Sequence, residues 1–398
     1  MRENIRNNKT NNTKYKRGLV IVAIVIGALL IIGAQQGIIH VRPSDAVPLN
    51  NVADIITLNP SEKNIIGINN NLIYKATEDG ITYYNMTGEE LWNDAYSIGA
   101  IDVKQRTPYV GVCGNQGKQL VVYDEKERVV DIKTTKPIVY FSISEAGGSV
   151  IIQQESNAYI ITAYDKYGEI LCQRTSFISD SGYPLTAELS PDNSTLLISC
   201  VSSNEPKVTS NILAIDVTDK RTDKVDGLTY GYSVENNLVY KIEFINKDTY
   251  VLVGDKGLSW YNLKGDQVAK SEEMSVMYIP YLNKMSKYGS GYFPVITAQT
   301  PSKNIVHRQD SLIYYNEKGE KFHEYNFREG VTDIYSDENG VIIKADNQFI
   351  GVDKLGNRAF EYQGDGVVQM IYKPDLKKGI AVTKDNVYLV KPKTLESK

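Results

Sequence analysis

Gly80-Ile81-Thr82-Tyr83-Tyr84-Asn85-Met86-Thr87-Gly88-Glu89-Glu90-Leu91-Trp92 is the stretch whose grammar sets the architecture. An apolar β-type run ends at Asn85, two spacer residues and Gly88 follow, and a second run begins. An Asx side chain accepts a hydrogen bond from the backbone two residues on, which starts a turn, and glycine tolerates the left-handed conformation that ends it. The phrase reads as a β-hairpin whose type I turn is followed by a bulge residue.

Six more copies follow: Tyr123-Asp124-Glu125-Lys126-Glu127, Tyr164-Asp165-Lys166-Tyr167-Gly168, Ile215-Asp216-Val217-Thr218-Asp219, Tyr261-Asn262-Leu263-Lys264-Gly265, Tyr315-Asn316-Glu317-Lys318-Gly319 and Val352-Asp353-Lys354-Leu355-Gly356. Where Glu127 and Asp219 replace glycine, the turn needs another geometry or carries strain. The Asx anchors are 39, 41, 51, 46, 54 and 37 residues apart, near the period of a four-stranded propeller blade. Helical solenoids of similar period would show helical spacing of apolar residues, whereas these segments are short, rich in Val, Ile and Tyr, and punctuated by Gly, Asn and Asp.

The third copy spells out a whole blade, with strands over 139–143, 150–154, 159–164 and 170–175, and the seventh repeats it over 331–334, 341–345, 348–352 and 358–362. An eighth set, over 367–372, 379–382 and 387–390, lacks its outer strand. Residues 52–58 are apolar enough to supply it and to close the ring by pairing the two ends of the chain, which removes an aggregation-prone edge. The expected fold is an all-β β-propeller of eight four-stranded blades, seven being the alternative if the last set folds onto its neighbour.

Residues 18–34 read GLVIVAIVIGALLIIGA, and no charge appears from Gly18 through Ile39, a length that spans a bilayer. Arg2, Arg6, Lys9, Lys14, Lys16 and Arg17 precede it and only Arg42 follows closely, so the positive-inside rule puts the amino terminus in the cytoplasm and the propeller outside. A cleaved signal peptide is the competing reading, and the sequence around Ile32-Gly33-Ala34 matches a small-x-small cleavage site poorly. The expected layout is a basic cytoplasmic tail (1–17), a single transmembrane helix (18–39), a short stalk (40–51) and the propeller (52–398), at the cell membrane.

Residues 43–398 hold 37 basic and 47 acidic residues, a formal charge of −10, which disfavours nucleic acid and anionic lipid as partners of the propeller. Cys113, Cys172 and Cys200 are too few for a disulfide framework, show no metal-ligand spacing and read as packed in strands. The three histidines, His40, His307 and His323, lie in no catalytic setting, and no phosphate-binding glycine loop, HExxH or EF-hand loop is present. Asp337-Glu338-Asn339-Gly340 resembles half a calcium loop but falls where a blade needs a turn. No catalytic residue, cofactor site or metal ligand is assigned, and the chain reads as a non-enzyme.

Tyrosine is unusually frequent, with 28 residues against eight Phe and two Trp, and five precede an Asx turn, a repeated position that reads as packing between blades. Tyr278, Tyr281, Tyr288 and Tyr292 cluster outside the grammar, with binding and packing both open. The longer intervals place insertions at 176–184, 202–210 and 281–308, expected to project from one face. Tyr281, Tyr288, Tyr292, His307 and Arg308 are the candidate partner-binding residues.

The stretch 80–92, with its apolar strand, Asx turn, glycine and closing Trp92, resembles the repeat of quinoprotein-type (PQQ-like) propellers. With the basic start and single anchor, the layout resembles a membrane-anchored propeller family of unknown function from Gram-positive Firmicutes. Quinone enzymes of this type have a cofactor floor and metal-binding acidic residues that do not map here, and the adjacent-cysteine pair of some members is absent. The resemblance implies a non-catalytic member, comparable to propeller lipoproteins that scaffold envelope assembly. The expected function is a membrane-anchored extracytoplasmic scaffold that binds an envelope protein or polymer. The alternative is a small-ligand or glycan sensor, or a quinoprotein-like enzyme using the central channel, marked by paired carboxylates or a bound metal.

Overall fold

The computed structural model describes residues 46–202, 207–218, 227–274, 276–278, 292–298, 310–327, 330–337, 339–345 and 348–393, all within the compact unit Ala46–Lys398. Among them no helix is long and apolar enough to cross a membrane, and the expected span at 18–39 lies outside the described residues.

After β1 (Val47–Thr57) the chain lays down consecutive four-stranded antiparallel meanders. The first sheet holds β2 (Ile65–Asn69), β3 (Leu72–Ala76), β4 (Gly80–Tyr84) and β5 (Glu90–Ala95). The second holds β6 (Ile101–Arg106), β7 (Tyr109–Gly114), β8 (Gln119–Tyr123) and β9 (Arg128–Lys133). The third holds β10 (Ile138–Ile143), β11 (Ser149–Gln154), β12 (Ala158–Tyr164) and β13 (Ile170–Phe177). The fourth holds β14 (Tyr183–Leu189), β15 (Thr195–Ser202), β16 (Thr209–Asp216) and β17 (Leu228–Glu235). The fifth holds β18 (Val239–Phe244), β19 (Thr249–Gly254), β20 (Gly257–Asn262) and β21 (Gln267–Lys270). The sixth holds β22 (Val276–Tyr278), β23 (Tyr292–Ala298), β24 (Asp310–Asn316) and β25 (Lys321–Phe327). The remaining strands are β26 (Val331–Ser336), β27 (Gly340–Ala345), β28 (Gln348–Asp353), β29 (Arg358–Gln363), β30 (Gln369–Lys373), β31 (Lys378–Val382) and β32 (Asn386–Pro392). They join β1 in an eight-stranded sheet of order β26-β27-β28-β29-β1-β32-β31-β30.

The two ends of the chain are paired. β1 runs antiparallel to β32 from Leu49–Pro392 to Thr57–Asn386, and touches β29 only through the parallel pairs Val47–Phe360 and Pro48–Glu361. Residues 52–58 thus supply the missing outer strand. Pairing begins earlier than expected, because Val47 to Asn51 already find partners, so the carboxyl-terminal part of the expected stalk is strand.

The core is a succession of apolar clusters between neighbouring sheets. Ile81 and Tyr83 of the first sheet pack with Val110 and Val121 of the second, and Ile56, Ile66 and Ile73 pack with Ile371 and Val387, bringing the last sheet against the first. The five tyrosines before the Asx turns, Tyr84, Tyr123, Tyr164, Tyr261 and Tyr315, are buried in these clusters.

Five of the Asx turns share one chemistry. Asn85 Oδ1 accepts from the backbone N–H of Thr87 (2.9 Å) and Glu89 (3.1 Å), and Gly88 takes φ +85°. Asp165, Asn262, Asn316 and Asp353 repeat the pattern, with Gly168, Gly265, Gly319 and Gly356 at φ between +74° and +86°. The second copy uses a shorter turn: Asp124 N–H bonds Glu127 O (3.1 Å), where Asn85 N–H reaches Glu89 O (3.0 Å). Glu127 thereby avoids the left-handed conformation. Asp219 lies outside the described residues.

Two expected insertions shrink, because β13 runs to Phe177 and β15 to Ser202, leaving links of 178–182 and 203–208. The third is not one loop. The run Tyr292–Ala298 is aromatic and β-branched, pairs along its length with β24, and divides 281–308 in two.

Candidate functional site

In a ring of antiparallel meanders the links alternate between two faces. The Asx turns share one face with the turns between first and second strands of each sheet. The links between second and third strands, and from each outer strand to the next inner one, share the other face.

In sequence, Tyr281 and Tyr288 fall between β22 and β23, and His307 and Arg308 between β23 and β24. All four lie outside the described residues. The two segments join β23 at opposite ends, about 20 Å apart for a seven-residue strand. Tyr292 is buried at 8% exposure; its hydroxyl donates to Asp337 O (2.7 Å) and its ring meets Tyr314 edge-on at 5.2 Å. It packs between sheets and presents no surface to a partner.

The first strand of each meander lines the channel. In β10, β14, β18 and β26 a bulge follows the first apolar position, between Ile138 and Tyr140, Pro184 and Thr186, Val239 and Lys241, and Val331 and Asp333. Bulges re-aim side chains, and here they bring polar groups into apolar strands. Arg106 at the end of β6 forms an ion pair with Glu243 of β18, bypassing the third and fourth sheets and so crossing the channel. Lys241 Nζ lies 3.3 Å from the other oxygen of Glu243. The Tyr140 hydroxyl donates to Glu188 and lies 3.0 Å from Thr186 Oγ1. On the other side of the ring Lys373 of β30 pairs with Asp337 at 2.8 Å.

The chemistry follows from burial. Glu188 is pushed above the ordinary carboxylate range, first by burial and then by the charge of Glu243, while burial pulls the Lys104 ammonium down. Arg106, Glu188 and Glu243 surround a residual cavity of about 20 Å³. That is room for about one water molecule. These residues were not singled out from the sequence, although charges interspersed with apolar residues in the strands 101–106, 183–189 and 239–244 were a usable signal.

The link face carries apolar side chains over the third to fifth sheets. Val139, Phe177, Tyr183, Val208 and Tyr240 are each 39–52% exposed, all at strand ends or links on that face. Tyr183 meets the ring of Tyr159 at 6.1 Å. Beside this rim, between β6 and β10, opens a cavity of about 420 Å³.

The profile described as "Family of unknown function (DUF5711)" matches residues 51–391. The chain belongs to this family. No curated protein matches it. Among solved structures it is similar to BamB from Moraxella catarrhalis, with a TM-score of 0.52 and 13% identity, covering 86% of this chain and 99% of that one. It is also similar to a eukaryotic initiation factor, with a TM-score of 0.52, 9% identity and 88% of each chain covered. The structural neighbours are β-propeller proteins, and the likeness establishes that fold for this chain.

Proposed function

We propose that this chain is an eight-bladed, PQQ-like propeller, with β30, β31, β32 and β1 as its last blade, held outside the cell membrane by one helix over 18–39. It acts as a non-catalytic interaction or scaffold module that docks an envelope protein or polymer on its link face. One observation carries the reading: the buried carboxylates Glu188 and Glu243 on the inner strands are already engaged. Arg106 reaches across the channel to Glu243, Tyr140 holds Glu188, and the cavity between these groups, about 20 Å³, is too small for an organic substrate. The exposed apolar rim supplies contact area of the kind that recognition surfaces use. The formal charge of −10 on residues 43–398 argues against nucleic acid and anionic lipid on that face.

Photo-crosslinking residues introduced at Tyr183 and Tyr240 on the link face, and at Tyr167 and Leu355 on the Asx-turn face, test this in cells carrying the anchored chain. Discrete adducts from the first pair alone are expected. Adducts only from the second pair, or from neither, would remove the link face as the docking surface. A small-ligand reading has one observation in its favour, the larger cavity between β6 and β10.

A further inference from the structure

The cavity between the inner strands of the second and third sheets differs from the channel wall in having room. Its volume of about 420 Å³ falls within the range of small-molecule sites. It opens on the link face, since its walls are the first residues of β6 and β10 and the link between β7 and β8 at Asn115 and Gln116.

Two ammonium groups line it. Lys63 Nζ donates to Ile101 O (2.7 Å), and Lys104 Nζ donates to Phe141 O (2.5 Å) while lying 4.1 Å from the ring centre of Tyr140. Each ammonium has three donors, so these bonds leave donor capacity on both. Neither forms a salt bridge with a carboxylate among the described residues, and Asp102 is the one acidic side chain of the wall. The cavity is therefore locally cationic in an acidic protein. The aromatic faces of Tyr140 and Phe141 and the side chain of Ile138 form an apolar floor beside the charges. Ala100 and Gln116, both on the wall, hold left-handed backbone conformations at φ +49° and +53°, a form of strain that clusters where ligands are gripped.

We propose that this cavity binds a small organic anion, its carboxylate or phosphate head between Lys63 and Lys104 and its body against Tyr140 and Phe141. A head group of this kind can accept from the donors that remain on the two ammonium groups, and charge-assisted bonds of this type are the strong ones. The volume exceeds what a bare inorganic ion fills and suits a body of roughly monosaccharide size. The site adjoins the channel network through Tyr140, whose hydroxyl donates to Glu188, and it stands whether or not a macromolecule docks on the link face.

The test is calorimetric titration of the full chain in detergent, at constant ionic strength, with inorganic phosphate, succinate, glucose 6-phosphate and uncharged glucose. Saturable one-site binding is expected for glucose 6-phosphate or succinate, which distinguishes the phosphate head from the carboxylate, and none for glucose. Lys63→Gln and Lys104→Gln should each weaken that binding about ten-fold. Lys344→Gln, in the separate cavity between β26 and β30, should leave it unchanged. Lys63 is exposed, so Lys63→Gln folds and decides the matter even if Lys104→Gln does not. No saturable binding of any anion, or affinity unchanged in Lys63→Gln, overturns the proposal.

Discussion

Replacing Glu243 by glutamine tests whether the channel charges hold the ring together or stand ready for a substrate. The carboxylate is 1% exposed and faces two cations, Arg106 at 9% and Lys241 at 19% side-chain exposure. Glutamine keeps the shape and one acceptor but removes the charge, leaving a guanidinium and an ammonium close together in a buried wall. Breaking a buried pair from one side costs about 3–5 kcal/mol. With an unfolding entropy of about 2.1 cal/mol/K per residue over Ala46–Lys398, the midpoint should fall by about 4–7 °C. Circular dichroism melts of Glu243→Gln, Arg106→Met and the double variant provide the readout. The double variant should lose less than the sum of the singles, because the two groups are coupled. Catalytic and ligand-binding charges are commonly destabilising, so a midpoint unchanged or raised in Glu243→Gln would refute the structural role and favour the channel-enzyme reading.

Gly88 and Gly168 occupy the same turn position at φ +85° and +82°, yet an added Cβ meets the Ile55 carbonyl oxygen of β1 at 2.2 Å in the first and only Val130 Cγ1 at 3.4 Å in the second. Gly168→Ala should cost about 1 kcal/mol for its left-handed backbone, and Gly88→Ala about 2 kcal/mol more for the clash; equal losses in urea melts would mean that β1 does not run there. Glu188 holds a proton in the folded chain at pH values where the unfolded chain has released it. Its contribution is therefore complete below the ordinary glutamate pKa and lost as pH rises through the raised folded value. Glu188→Gln should flatten that decline in midpoint-against-pH curves, and an unaltered slope would count against burial of the group. Burial pushes the Cys113 thiol up to about 12 and Cys200 up to about 11, so a thiol reagent at about pH 8 should label Cys172 first and the other two only in denaturant. Rapid native labelling of Cys113, followed by mass spectrometry, would contradict its packing.

The legible part of this chain is its local chemistry. An Asx side chain and a glycine three positions later announce a turn wherever they occur, so Asn85 and Gly88 could be read without knowing what they pack against. Closure was legible for a different reason: three strands without a fourth, and an apolar run at the other end of the chain, leave one way to cover an edge. The Arg106–Glu243 pairing was not, because it joins residues far apart in sequence through a channel that exists only once the ring has formed. The segment 281–308 misled because its polar, glycine-containing flanks conceal Tyr292–Ala298, whose strand character depends on pairing with Asp310–Asn316. The same strand buries Tyr292, a residue whose composition alone suited packing and recognition equally.

The most direct test of the account is hydrogen–deuterium exchange along β1 in the full chain. Closure predicts that the amides of Val47–Thr57 that bond to β32 (Asn386–Pro392) exchange slowly, and that they are released together with β32 in denaturant. Rapid exchange over Val47–Thr57 while β32 stays protected would show an unpaired stalk and an open ring, and would contradict it.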